Sequence, residues 1–138
     1  MNRSWTLVLP AGGHWGWPPS ANDRIHWRAK SLKIAEWRRR VFAAAVDAGI
    51  PHLDRARVSI IFFRQPGGVD HDADNLVSMC KAIYDGLVGM WTGRRASRMR
   101  LAGILDDDDA AHMVHGAVLE YREPRPMQPR IEVMVEEL

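Results

Sequence analysis

Two short acidic stretches carry the residues best suited to chemistry. Asp70-His71-Asp72-Ala73-Asp74-Asn75-Leu76 and Asp106-Asp107-Asp108-Asp109 together hold seven of the chain's eleven aspartates. Carboxylates packed this closely disfavour one another's ionised form and destabilise a fold unless a counter-charge gathers them. The usual counter-charge is a hard divalent cation with oxygen ligands. Such a cation beside a phosphate ester supports metal-assisted hydrolysis. The plainer alternative for each stretch alone is a solvated acidic surface, and it is the combination of two stretches in a basic chain that favours a site.

The residues after the first stretch extend the pattern. Asp72 and Asp74 share a face in an extended segment, and a carboxylate at Asp74 suits the start of a helix, where the dipole favours negative charge. Continued at the helical period, Ser78, Lys81 and Asp85 fall within about 40° of Asp74. One helix thus presents a polar stripe of Asp74, Ser78, Lys81 and Asp85, opposite an apolar one of Leu76, Met79, Ile83 and Leu87. Lys81 is placed as a phosphate clamp or leaving-group stabiliser. An ordinary i, i+4 ion pair between Lys81 and Asp85 explains part of the same stripe. His71, His112 and His115 lie beside the two acidic stretches as candidate ligands or general bases, or as supporting surface residues.

Charge is distributed to match. The net charge of +2 hides an asymmetry: eight acids lie between Asp70 and Asp109, and without them the chain carries 19 basic and 9 acidic side chains. Sixteen of the 19 are Arg, whose planar guanidinium bonds phosphate in bidentate fashion. This suits a nucleic-acid surface, although high-GC codon usage also enriches Arg. Trp15, Trp17, Trp27 and Trp37 are candidates for base stacking or for covering the core. Cys80 is the single cysteine, which excludes an intrachain disulfide and a multi-cysteine zinc site. The apolar run at the N-terminus stops at Pro10, too short for a membrane span, so a cytoplasmic protein without a membrane partner is expected.

The elements that must position these residues follow from periodicity. At 138 residues and 46% hydrophobic, one domain over 1–138 is expected. Trp5–Leu9 reads as a strand, Ser31–Ala48 as a helix, Arg57–Arg64 as a strand, and Ala73–Val88 as a second helix. Residues 91–103 read as a mobile basic loop. Val114–Tyr121 and Arg130–Glu136 are two further strands, joined through Pro124, Pro126 and Pro129. The order β-α-β-α-β-β implies an α+β fold, a small mixed sheet with two main helices packed on one side.

Three stretches resemble the RusA-type Holliday-junction resolvases, including their phage and prophage relatives. Pro18-Pro19-Ser20-Ala21-Asn22-Asp23-Arg24 is similar to the family's PPS-x-N segment. Asp72-Ala73-Asp74-Asn75-Leu76, then Lys81, then Asp85-Gly86-Leu87 resembles its D-x-D-N-L…K…D-G-L pattern. The run containing Asp107-Asp108 resembles its D-D pair. The resemblance spans roughly residues 5 to 120. It departs at Ser78, which stands where the best-known form of the motif has its Lys, and in Met90–Ala102, an Arg-rich insertion.

The resemblance implies a homodimer that cuts four-way DNA junctions with Mg²⁺, Mn²⁺ substituting. It implies Asp72, Asp74 and one aspartate of the second stretch as metal ligands. Spacing to His112 favours Asp108 and counting from Leu105 favours Asp107, with Asp108 ranked first. Asp72, Asp74, Lys81 and Asp108 are the candidate catalytic set, and Arg24, Arg94, Arg95 and Arg98 the candidate DNA contacts. The implied reaction is in-line attack by water, which expels a 3′-oxygen and leaves a 5′-phosphate. A two-fold dimer would put one site on each of two opposed strands. Rival readings are another metal-dependent phosphohydrolase, a nuclease for other branched DNA, and a junction-binding module whose acids are structural.

Overall fold

The computed structural model describes residues 2–65, 73–92, 98–123 and 127–138, with backbone only at Ala73, Asp74 and Thr92. Its elements are β1 (Ser4–Pro10), α1 (Trp27–Asp47), β2 (Ala56–Arg64), α2 (Ala73–Met79), α3 (Lys81–Val88), β3 (Gly89–Thr92), β4 (Met99–Ala102), β5 (Met113–Arg122) and β6 (Arg130–Glu137). The fold is α+β, as the periodicity implies.

Four strands form one mixed sheet in the order β1-β6-β2-β5. β6 pairs antiparallel with both β1 and β2, whereas β2 and β5 run parallel. A parallel pair cannot close through a tight turn. The chain between β2 and β5 therefore crosses over the sheet, and this crossover contains α2, α3 and the second acidic stretch. Alternation in β2 and β6 sends Val58, Ile60, Phe62, Ile131, Val133 and Val135 inward, all buried. They meet Trp37, Val41 and Ala45 of α1 and Ile83 and Leu87 of α3 in one core.

Helix α1 starts four residues earlier than periodicity suggests, because the His26 side chain caps it by accepting the Arg28 N–H at 3.2 Å. Histidine is not among the preferred capping residues, so the sequence gives no start signal there. Its end is as expected, with Gly49 and Ile50 donating back to Val46 and Ala45 in a Schellman arrangement.

Two features differ from expectation. The helix expected over 73–88 is two helices separated at Cys80, whose N–H reaches Val77 O three residues back. The residues expected as a loop contain a hairpin instead, with β3 and β4 paired from Gly89↔Ala102 to Thr92↔Met99. Every residue of β4 is exposed, so it carries no burial alternation by which a strand is recognised. Among the described residues no helix is long and apolar enough to cross a membrane.

Candidate active site

Lys81, the first residue of α3, holds two carboxylates. Its Nζ lies 3.0 Å from an oxygen of Asp85 on the same helix and 3.0 Å from Oδ2 of Asp108 in the second acidic stretch. The hydrogen bonds that Lys81 donates to Asp108 and then to Asp85 raise its pKa, and the bond to Asp108 lowers that of Asp108. Both groups are therefore charged across the neutral range.

The approach of Asp108 depends on two glycines. At Gly103 an added Cβ would lie 2.1 Å from Leu87 O, so only glycine lets the chain pass the end of α3 this closely. The following residues are tied there by Gly103 N–H to Val88 O and Ile104 N–H to Leu87 O, both 2.8 Å. Buried Ile104 and Leu105 then anchor the start of the acidic run in the core. Gly86 does the same on the other side of α3, where a Cβ would stand 2.6 Å from Arg38 O of α1. The Asp-Gly-Leu triplet thus combines a site carboxylate, a helix-contact glycine and a core leucine.

The four aspartates of the run point to four different partners. Asp106 meets His52 at 2.9 Å, Asp107 accepts the Asp108 N–H at 2.7 Å, Asp108 meets Lys81, and Asp109 meets His112 at 2.6 Å. The side chain of Asp108 is 28% exposed, against 68% for Asp106 and 52% for Asp109. Asp108 is therefore the member of the run directed into the helix stripe. Beside it opens a depression of about 430 Å³ that Arg55 and His115 also line. His115 stacks on buried Tyr84 at a centroid separation of 4.5 Å, which ties β5 to α3 at this point.

Ser78, although on the same stripe, is engaged elsewhere. Its Oγ donates to Asn75 O and accepts the N–H of Ala21, each at 3.0 Å. Asn22 Nδ2 donates to Asn75 Oδ1 at 2.6 Å. The Pro18–Asp23 turn is thus docked on α2, and the exposed Arg24 follows it within two residues of that contact. Of the remaining candidates, Asp70, His71, Asp72, Arg94 and Arg95 lie outside the described residues, as does the side chain of Asp74. Asp74 itself is the second residue of α2, next to Asn75. Arg98 is exposed beside the hairpin.

Among the described residues no group of three or more His, Cys, Asp or Glu converges as a metal cage. Two carboxylates with phosphate or water completing the sphere is nonetheless an ordinary arrangement for Mg²⁺. The carboxylate oxygens of Asp108 and the adjoining Asp107 are hard donors that fit that cation and not a soft or borderline metal. Trp37 belongs to the core, Trp17 packs against it, and Trp15 and Trp27 remain 40% and 66% exposed. The chain matches no family model and no curated protein.

Proposed function

We propose that this protein is a Mg²⁺-dependent endodeoxyribonuclease of the RusA type, acting in the cytoplasm, that resolves four-way DNA junctions during recombination and repair. The observation that supports it is the meeting of Lys81 and Asp85 of α3 with Asp108 of the second acidic stretch, in a chain whose other charged residues are mostly basic. Asp108, with Asp72 and Asp74 and with Asp107 adjoining, would hold the cation. Mg²⁺, when bound, supplies a nucleophilic water and neutralises phosphate charge. In this reading the water oxygen forms the new bond to phosphorus, the bond to the 3′-oxygen breaks, and a 5′-phosphate remains. The Lys81 ammonium turns from its carboxylates to a non-bridging phosphate oxygen as negative charge builds there. Arg24, beside α2, holds an adjoining phosphate.

Paired cutting requires a homodimer, and the outer face of the sheet is the surface we assign to it. Val8, Ile61 and Leu119 lie in one row across the strands, interrupted by Glu132, and both Val8 and Leu119 are more than half exposed. Sedimentation should show a dimer that Leu119→Arg converts to monomer.

The same Lys81 bridge favours one other reading, in which the ammonium neutralises structural acids of a junction-binding protein without catalysis. Incubation with a synthetic four-way junction and a matched duplex, with and without Mg²⁺, separates the two. Symmetric nicks in the junction only when Mg²⁺ is present are expected. Binding with no cleavage at any Mg²⁺ concentration would leave the structural reading.

A further inference from the structure

Helix α1 and the β3–β4 hairpin enclose an open groove of about 540 Å³ that shares no residue with the Lys81 cluster. Among the described residues it is lined by Arg38, Arg39 and Arg98, and none of those lining it is acidic. Ile34, Met90 and Trp91 supply its apolar part. The Arg98 guanidinium lies 4.5 Å from the centroid of the Trp91 ring, and Trp91 remains 46% exposed. Arg38 is fixed in place, its Nε donating to Gly89 O at 2.9 Å, so the hairpin is pinned to α1 where the groove begins. Arg39 and Arg98 are both exposed.

Clustered guanidiniums beside an exposed indole and an aliphatic floor match a polyanion that carries flat apolar groups. The carboxylates of an acidic peptide would satisfy the charges but bring no flat group to extend the Arg98–Trp91 stack. A duplex keeps its base faces covered, whereas an unpaired strand offers both phosphates and π-faces. We propose that this groove holds an unpaired DNA strand, its phosphates on Arg39 and Arg98 and a base added to the Arg98–Trp91 stack. The choice of DNA rests on the nuclease reading above.

Position supports a link to that site. Met90 follows Asp85 by five residues, so their Cα atoms lie at most about 18 Å apart. That is about five base steps at 3.4 Å per step. A strand leaving the groove therefore reaches the carboxylates within a few nucleotides, which would let the protein recognise opened DNA beside the cut.

Fluorescence anisotropy with a labelled oligothymidylate, in EDTA so that cleavage is absent, tests the assignment. Trp91→Ala should weaken binding on the order of tenfold, and Trp91→Phe, which keeps a stacking face, should retain most of it. Arg39→Ala and Arg98→Ala should each lower the salt-dependence slope by about 0.7. Wild-type affinity and slope in Trp91→Ala and in the double arginine variant would overturn the proposal. So would displacement of the oligonucleotide by polyglutamate of equal charge as readily as by unlabelled oligothymidylate, or tighter binding of the matching oligouridylate. The junction assay separates this proposal from the nuclease reading. Groove-dependent strand binding without junction cleavage keeps the groove and removes the nuclease. Junction cleavage with unaltered strand binding in the groove variants does the reverse.

Discussion

Lys81 Nζ and Asp108 Oδ2 meet at 3.0 Å across 27 residues of sequence. The contact fastens the start of α3 to the second acidic stretch, and it shares its ammonium with Asp85. The Lys81 side chain is 66% exposed, so the pair itself adds little to stability after solvent screening. Its consequence is positional: it fixes which aspartate of the run and which polar residue of the stripe face each other.

Lys81→Ala should lower junction cleavage by about a hundredfold or more, the scale on which loss of one electrostatic donor acts. Junction affinity should change little, because many other arginines carry phosphate binding. Ser78→Ala should behave differently. It removes the acceptor for the Ala21 N–H and loosens the Pro18–Asp23 turn, at a cost of about 1 kcal/mol. Thermal unfolding should register that loss while the single-turnover rate stays near wild type. The opposite ranking in the cleavage assay would show that Ser78, not Lys81, serves the reaction.

An Asp→Asn scan of the acidic run should give unequal losses. Asp108→Asn should be the most severe, since Asp108 alone in the run faces Lys81. Asp106→Asn and Asp109→Asn, whose partners are His52 and His112, should be mild. Asp107→Asn should fall between: the amide oxygen still accepts the Asp108 N–H and keeps that residue oriented, while the negative charge next to Asp108 is lost. Four equal, small losses in cleavage rate would reduce the run to a solvated loop.

Gly86→Ala tests the support beneath the site. The added methyl meets Arg38 O at 2.6 Å and Val41 Cβ at 2.8 Å, so α1 and α3 must separate. Overpacking of this kind costs about 1–3 kcal/mol. Denaturant unfolding should show the loss in the midpoint. Cleavage should fall as well, because Asp85 and Lys81 ride on the displaced helix. An unchanged midpoint would mean that the helices tolerate a wider approach.

The parts of this fold legible in the sequence are those set by local periodicity. Strands β2 and β6 and helix α1 alternate or repeat cleanly, and their buried sides are those the pattern indicates. The break at Cys80 was not legible, since the apolar stripe runs from Leu76 through Leu87 without interruption. The β3–β4 hairpin was not legible either, because its strands are short and β4 buries no face. At the site, the stripe of Lys81 and Asp85 is readable from spacing alone. The meeting of Lys81 with Asp108 is not, for it depends on how closely Gly103 lets the chain pass Leu87. Arg39 and Trp91 share a groove for a similar reason: a long-range contact, Arg38 to Gly89, sets the hairpin against α1.

The His112–Asp109 pair gives a pH test outside the Lys81 cluster. The bond to Asp109 raises the His112 pKa, and the charges of Asp109, Asp106 and Asp107 push it the same way. Because the folded value lies above the unfolded one of about 6.5, the pair's contribution is fully present below that pH. It is lost as pH rises through the raised folded value. Asp109 has the complementary behaviour: its depressed pKa makes its contribution present above the ordinary carboxylate range and lost on acidification. Both groups are solvent-exposed, so the readout should be the titration itself. An NMR titration of the His112 ring should show a midpoint above the ordinary histidine value in wild type. Asp109→Asn should move it down, while Asp108→Asn should leave it nearly unchanged, because Asp108 is directed to Lys81. A His112 midpoint indifferent to Asp109→Asn would show that the two side chains do not meet in solution.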